Sequence, residues 1–360
     1  MYFREFFRYI LSFSLCFIFA AFILNFVLYN YYLLPEKINI QAATETRWGA
    51  NSKVVLGTEG YGVNLTDEKG YNNAFNINEN SNYILLFGSS HTQGFNVNQE
   101  ETYSYIMTKK LSDNNFDILV YNIGMDGHGF DTIIQHFKAA MEQFRDAHSV
   151  IIEVGVGSIE YNKAAINVLK KATSSQVNYV SYTENENISL LSKITRKLQL
   201  IPIVRLAYKQ IVSFKFNFSN VFFAQTPKKV VKEKTSDIEY HEYYEVLVDT
   251  LMILKQQAKG KNIIIIYHPQ LKLNKDGSAI DVTDKISLDL FQSACAQSGV
   301  QFYNMSEKFL EMYYIEQKLP HGFFNSKLSE GHLNRYGNKK MAEALYTLIL
   351  KNQRVYNNDF

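Results

Sequence analysis

The chain has 360 residues, with 37 lysines and arginines against 35 aspartates and glutamates, so its formal net charge is +2. This near balance argues against a nucleic-acid-binding protein, which usually carries an excess of basic residues. The two cysteines, Cys16 and Cys295, are too few for a disulfide framework or a cysteine-based zinc site. The length allows one large domain or two small ones, with an ample hydrophobic core.

The first distinctive feature is an uncharged apolar run from Tyr9 to Leu34. About 20 apolar residues are enough for a helix to cross the hydrocarbon core of a bilayer. Arg4 and Arg8 precede the run, which predicts a cytoplasmic N-terminus. A signal peptide has an apolar core of only about 7–15 residues and small residues at its cleavage site, and neither feature is present. We therefore predict a single-pass anchor over residues 1–34, with the remaining chain outside the inner (cytoplasmic) membrane.

A regular alternation of apolar runs and helical patterns follows a glycine- and asparagine-rich lead-in, residues 35–80, which we expect to lie extended on the surface. Five runs have the length and character of buried strands: Tyr83–Phe87, Ile118–Tyr121, Val150–Val154, Ile263–Tyr267 and Val300–Tyr303. Helical patterns lie between them, for example over Thr132–Phe144 and Asp284–Gln297. This alternation predicts βαβ units, and hence an α/β fold with one central parallel sheet of about five strands covered on both faces.

One long segment, residues 163–239, interrupts the alternation and exceeds the length of a normal connection. Its mixed helical signals indicate an inserted subdomain or lid, with partial disorder as the alternative. The α/β domain is then built from residues 81–162 and 240–360.

The residues that follow the predicted strands are the candidates for function, because ligands bind at the carboxyl ends of the strands in an open parallel sheet. Gly88, Ser89 and Ser90 follow the first strand, and a glycine-rich loop with Gly127 follows the second. The glycine spacing matches neither the phosphate-binding loop nor the dinucleotide-binding motif. With no HExxH motif or comparable cluster, the sequence predicts no metal site, and nothing in it indicates a cofactor.

A serine hydrolase site fits the same strand edges better. Ser90, on a glycine-flanked turn, can act as a nucleophile once a base removes its proton. His332, in a polar loop ahead of the last helix, is the candidate base, because an imidazole titrates near neutral pH. The backbone N–H groups at Ser90 and Gly127 are the candidate oxyanion donors. The alternative is that the Gly-Ser-Ser turn is only a turn and that His332 is a surface or capping residue.

Three sequence blocks, in this order, resemble the SGNH/GDSL hydrolase family. The run LLFGSSHTQGF is similar to the block that carries the nucleophilic serine, and VYNIGMDGHGF is similar to the block whose glycine binds the oxyanion. The run EGHLNRYGNKKMAEAL resembles the last block, which carries the base. The resemblance implies a flavodoxin-like three-layer fold, with Ser90 as the nucleophile, Gly127 as an oxyanion donor and His332 as the base. An N-terminal anchor ahead of such a domain is typical of bacterial members that add or remove acyl groups on envelope glycans.

The sequence departs from the family pattern at three positions. Ser89 replaces the aspartate of the Gly-Asp-Ser signature, which leaves the nucleophile intact. Gly157 stands where the family has an oxyanion asparagine, and the loss of such a donor costs about 10²–10³ in rate. Ser329 replaces the aspartate that normally orients the base, so Glu330 is the expected orienting carboxylate.

Three further polar residues are candidate substrate-binding groups: His91 next to the nucleophile, His128 in the glycine-rich loop, and Asn334 after the base. The sequence thus predicts an envelope-facing serine esterase or O-acyltransferase for ester-linked acyl groups of a saccharide, with acetyl as the expected group. A transferase would also need an acyl donor, such as a partner protein in the membrane. The alternative is a catalytically impaired SGNH-like protein that binds a glycan or an assembly partner.

Overall fold

The computed structural model describes residues 2–35, 37–40, 45–161, 163–174, 197–198, 200–208 and 237–357. It begins with helix α1 (Tyr2–Tyr29). Over Phe3–Tyr29 the mean hydropathy reaches 2.5 and no part of the most apolar stretch is buried, so the helix is long and apolar enough to cross a membrane. Membrane spans and signal sequences share these two properties.

The lead-in folds into short antiparallel strands. One small sheet contains β1 (Tyr32–Leu33), β4 (Lys53–Leu56) and β5 (Gly62–Leu65). A separate hairpin contains β2 (Lys37–Ile40) and β3 (Glu45–Trp48). Trp48, Val54 and Tyr71 are buried in the main hydrophobic core. The lead-in is therefore part of the domain, whereas its polar composition had suggested an extended segment on the surface.

The central sheet has five parallel strands, and a short antiparallel hairpin precedes the last of them. The sheet strands are β6 (Tyr83–Phe87), β7 (Leu119–Asn122), β8 (Ser149–Gly155), β9 (Asn262–His268) and β12 (Gln301–Asn304); the hairpin is β10 (Leu271–Leu273) and β11 (Ala279–Asp281). The order across the sheet is β12-β9-β8-β6-β7. If these five strands are numbered 1 to 5 along the chain and read from β7 to β12, the order is 2-1-3-4-5, which is that of flavodoxin-like folds. The predicted fold class is confirmed, and every strand end lies within one residue of its expected position.

Helices cover both faces of the sheet, which completes three layers. They are α2 (Ser90–Gln93), a 3₁₀ helix (Gln99–Glu101), α3 (Tyr103–Asp113), α4 (Phe130–Gln143), α5 (Val156–Ile159), α6 (Lys163–Ser174), α7 (Asp237–Gln257), α8 (Lys285–Ser298), α9 (Ser306–Glu316) and α10 (Arg335–Asn357). Alternate side chains of β6 enter different cores, because successive residues of a strand point to opposite faces. Tyr83, Leu85 and Phe87 pack with α4, α7 and α8, whereas Ile84 and Leu86 pack with α3, α9 and α10.

The predicted insertion, residues 163–239, lies largely outside the described residues. Its first part is α6, whose Ile166 and Leu169 are buried in the same core as α4 and α7. Lys170 of α6 also forms an ion pair with Glu242 of α7 at 2.5 Å. The beginning of the insertion is therefore a packed element of the domain.

The strand order reverses between β6 and β8, which pair directly. The loops that follow these two strands diverge at the carboxyl edge, and a groove at such a reversal is where α/β sheets bind ligands. Ser90 follows β6 and Gly157 follows β8, so the predicted site residues lie at this point.

Candidate active site

Ser90 lies at the start of α2, directly beyond the end of β6. The side chain of Ser89 caps this short helix by accepting the N–H of His91 at 3.2 Å, and Gly94 ends it with a left-handed φ of 72°. The sharp strand-to-helix turn holds the Ser90 hydroxyl at the edge of the sheet. There it lines an open groove with a volume of about 360 Å³.

A chain of hydrogen bonds joins Ser90 to a carboxylate through His332. The Ser90 Oγ lies 2.9 Å from the Nε2 of His332, and the Nδ1 of His332 lies 2.8 Å from an oxygen of Glu59. Because a carboxylate only accepts, Nδ1 carries the proton, and Nε2 offers a lone pair to the Ser90 hydroxyl. The second Glu59 oxygen accepts the backbone N–H of His332 at 2.8 Å, which fixes the orientation of the histidine. This arrangement can activate a serine for attack on a carbonyl carbon.

The orienting carboxylate is Glu59, and the expectation of Glu330 in this role is wrong. Glu330 is exposed and pairs with Lys327 at 3.1 Å on the outside of the loop. Ser329, in the position of the family aspartate, has a left-handed φ of 68° and its buried hydroxyl donates to the carbonyl of Leu271. The loop therefore turns both side chains away from the Nδ1 of His332.

Glu59 lies on the loop between β4 and β5, which side chains of two other loops hold in place. Asn325 accepts the N–H of Gly60 at 2.7 Å, and Asn96 donates to the Glu59 carbonyl at 2.9 Å. Gly331 has a left-handed φ of 79°, and a Cβ atom there would lie 2.0 Å from the Glu59 carboxylate, so glycine is favoured at this position. Partial burial would raise the pKa of Glu59, but the hydrogen bonds and charge of His332 outweigh it and lower that pKa. Glu59 is thus ionised at neutral pH.

The two predicted oxyanion donors face the same groove. Gly127 has a φ of 81°, a left-handed conformation that favours glycine, and Gly127 and Ser90 both line the groove. Within the described part of the chain, neither backbone N–H has a hydrogen-bond acceptor. Gly157 also lines the groove, and a Cβ atom there would meet nothing within 4 Å. The space that an asparagine would occupy in the family pattern is therefore open.

The three predicted substrate-binding residues have different environments. His128 lines the groove and stacks on His136 with ring centroids 5.5 Å apart, so its contact with substrate stays a prediction. His91 also lines the groove, and its Nδ1 accepts the N–H of Leu333 at 3.2 Å. Asn334 does not line the groove. Its oxygen caps the first turn of α10 and its amide donates to two carbonyls of the preceding loop, so the structure gives it a structural role.

A fully buried carboxylate, Glu153 of β8, underlies the nucleophile turn. One of its oxygens accepts the N–H and hydroxyl of Ser89 at 2.8 and 2.9 Å and the hydroxyl of Thr92 at 2.9 Å. Its other oxygen lies 2.8 Å from the Nε2 of His268. Burial would raise the pKa of Glu153, but its hydrogen bond with His268, together with the neighbouring histidines and the Ser89 N–H, lowers it to about 2. Sequence reasoning missed Glu153 because it stands alone within an apolar strand.

Similarity to known proteins is found among solved structures. A scan with protein-family models and a search of curated proteins give no match. Similar solved structures include the psychrotrophic esterase EstA from Pseudoalteromonas sp. (13% identity, 76% of this chain and 99% of that chain, TM-score 0.40) and the acetyl xylan esterase AlAXEase (11%, 74% and 99%, 0.40).

A third similar structure is a member of the lipolytic G-D-S-L family from Veillonella parvula (14% identity, 72% of this chain and 94% of that chain, TM-score 0.35). The strand order is that of flavodoxin-like folds, and the chain resembles the SGNH/GDSL hydrolases in its sequence blocks and in its strand-edge serine.

The buried Glu153 carboxylate makes the protein sensitive to acid. Its pKa is about 2 when folded against an ordinary value of 4.5, so its stabilisation is complete above pH 4.5 and is lost as the pH falls towards 2. Glu153→Gln should lower the free energy of unfolding at pH 7 by about 1–3 kcal/mol, because an amide N–H₂ then faces buried donors. The substitution should also make the free energy of unfolding depend less on pH between pH 4.5 and 2, as measured by urea unfolding at several pH values. An unchanged pH dependence would contradict this role, and Glu330→Gln is the exposed control.

Proposed function

We propose that this chain is a membrane-anchored serine esterase or O-acyltransferase that acts on ester-linked acyl groups of an envelope glycan. The observation that carries the proposal is the hydrogen-bonded chain from Ser90 through His332 to Glu59, with steps of 2.9 and 2.8 Å. Three residues from distant parts of the sequence meet in the order nucleophile, base and orienting acid, at the reversal point of the sheet.

The proposed reaction begins when the Ser90 oxygen attacks the acyl carbonyl carbon and its proton moves to the Nε2 of His332. Glu59 holds the Nδ1 proton and stabilises the imidazolium that forms. The N–H groups of Ser90 and Gly127 bind the oxyanion. His332 then protonates the departing group, which is the sugar oxygen in an esterase and the leaving group of the acyl donor in a transferase, and an acyl-serine remains. A second nucleophile, water in an esterase or a sugar hydroxyl in a transferase, gives its proton to His332, attacks the acyl carbon and breaks the bond to the Ser90 oxygen, which takes the proton back.

The proposed location is the outer side of the inner membrane. The support is the length and apolar character of α1, together with Arg4 and Arg8 on its N-terminal side. The uncharged run is longer than the core of a signal peptide, which favours an uncleaved anchor. The proposed substrate at that location is an envelope glycan, with acetyl as the proposed acyl group. In the transferase form, a membrane protein would deliver the acyl group.

A second candidate function is binding of a glycan or partner without turnover. The observation that favours it is Gly157, which lacks the side-chain amide of the family pattern and leaves two backbone donors for an oxyanion. The site as a whole favours catalysis, because Glu59 takes the place of the missing aspartate. Its carboxylate contacts both the backbone N–H and the Nδ1 of His332 at 2.8 Å.

The reactivity of Ser90 is the direct test. A fluorophosphonate probe should label the purified full-length chain at Ser90, as mapped by mass spectrometry, and the chain should hydrolyse p-nitrophenyl acetate. Ser90→Ala and His332→Ala should abolish both signals, because each removes one partner of the proton transfer. A folded wild-type chain that neither takes up the probe nor turns over the ester would leave the binding function in its place.

Two glutamates of this region give a matched pair. Glu59→Gln should lower kcat by about 10²–10⁴, because the amide no longer holds the Nδ1 proton or stabilises the imidazolium, while KM changes little. Glu330→Gln, in the loop that carries His332, should leave kcat unchanged. Steady-state kinetics on both variants measure the difference. Equal effects of the two substitutions would remove Glu59 from the proposed mechanism.

Gly157 offers a gain-of-function test. Gly157→Asn should raise kcat/KM for ester hydrolysis by up to about 10²-fold, because the open groove has room for an amide that donates to the oxyanion. Gly157→Ala, which adds bulk without a donor, is the control and should give no gain. If asparagine and alanine have the same effect, the oxyanion does not form beside this position.

A further inference from the structure

We propose that His91, His268 and His321 bind a divalent first-row transition-metal ion of the zinc type beside the nucleophile. The three histidines follow β6, end β9 and lie between α9 and α10, respectively. One nitrogen from each ring lies within 4.8 Å of the other two. Adjacent ring centroids are 4.6, 5.4 and 5.6 Å apart. Imidazole nitrogens are the ligands that zinc, copper, nickel and iron ions favour.

Two buried nitrogens of the cluster lack a hydrogen-bond partner. The Nδ1 atoms of His268 and His321 are buried and have no hydrogen-bond partner among the described residues. Both residues are less than 4% exposed. A buried polar atom without a partner destabilises the protein, so such atoms normally face a ligand or an ordered water. A metal ion would satisfy both nitrogens at once.

Glu153 orients His268 as a metal ligand requires. Its carboxylate binds the Nε2 of His268 at 2.8 Å, so Nε2 carries the proton and the Nδ1 of the neutral ring keeps its lone pair for a ligand. A histidine that donates its second N–H to a carboxylate is the usual outer support of a metal site. The carboxylate is buried directly behind His268, and carboxylates in such places are normally paired with a cation or a metal.

The geometry needs a modest closure. Metal–nitrogen distances of about 2.0–2.1 Å place tetrahedral ligand nitrogens roughly 3.3 Å apart, so the rings must approach by at most about 1.5 Å. His91 must also lose the long hydrogen bond of 3.2 Å that its Nδ1 accepts from the Leu333 N–H. This is because ligation through Nε2 moves the ring proton to Nδ1, which can then no longer accept. All three histidines line the groove that holds Ser90. A fourth coordination position would therefore open to the groove, as in zinc sites that bind water or substrate.

Metal binding to the purified full-length chain in detergent, made without a polyhistidine tag, tests the proposal. After removal of metals with EDTA, titration calorimetry with ZnCl₂ should show one equivalent bound, and Co²⁺ should give a visible spectrum of nitrogen coordination. His321→Ala and His91→Ala should each weaken zinc binding at least 10-fold. His136→Gln changes a buried histidine of α4 outside the cluster and should bind as the wild type does. Circular dichroism confirms that each variant is folded.

Two results would overturn the site. One is a folded wild-type chain that binds less than one equivalent of zinc. The other is wild-type affinity in folded His321→Ala or His91→Ala. Because the readout is binding, it is independent of ester hydrolysis: an inactive Ser90 leaves the metal site untouched, and failure of zinc binding leaves the proposed reaction untouched.

Discussion

The buried carboxylate of Glu153 is the constraint on which the rest of the site depends. A charge in the centre of a parallel sheet is tolerated only if hydrogen bonds surround it, and here four donors do so, three of them from the nucleophile turn. The carboxylate thereby joins β8 to the turn after β6 and fixes the first residues of α2. Gly88 is part of the same constraint, because a Cβ atom there would lie 1.8 Å from the Thr92 hydroxyl and 2.5 Å from Glu153.

The second consequence of the fold is that the lead-in completes the site. Glu59 reaches His332 from a loop that precedes the central sheet in sequence, and Asn325 ties that loop to the segment that carries the histidine. Val54 anchors the small antiparallel sheet in the main core, and Trp48 does the same for the neighbouring β2–β3 hairpin. The orienting carboxylate is therefore in place only when the part of the chain next to α1 is folded on the domain.

The sequence predicts those features whose signals are local. The five strands are short apolar runs ended by polar or glycine residues, so their positions and the parallel sheet follow from pattern alone. Ser90 and His332 are recognisable because each lies in a block with several characteristic neighbours. Glu59 has only flanking glycines, Gly57 and Gly60, to mark it, and nothing in the sequence links it to a residue near the other end of the chain.

Asn334 and the histidine cluster show that local sequence patterns can both suggest a wrong site residue and miss a right one. Asn334 has the right neighbours for a site residue, but a polar side chain just before a helix can also cap it. Here the side-chain oxygen caps α10 and the amide binds two carbonyls of the preceding loop, so all its hydrogen-bonding groups are used. The three histidines have no local motif, and only the packing of three loops brings them together. Their hydrogen-bond partners also differ from those of His332, whose two ring nitrogens contact a serine and a carboxylate.

The three histidines of the cluster and His332 differ in the chemistry that they can perform. Burial and the neighbouring His268 lower the pKa of His91 to about 3, and burial likewise lowers that of His321, so these rings are neutral and cannot shuttle protons near neutral pH. A neutral imidazole with a free lone pair is a ligand, whereas a ring held between a hydroxyl and a carboxylate is a base. One groove can thus hold a proton-transfer site and a cation site side by side, because Glu59 and Glu153 assign a different task to the histidine that each contacts.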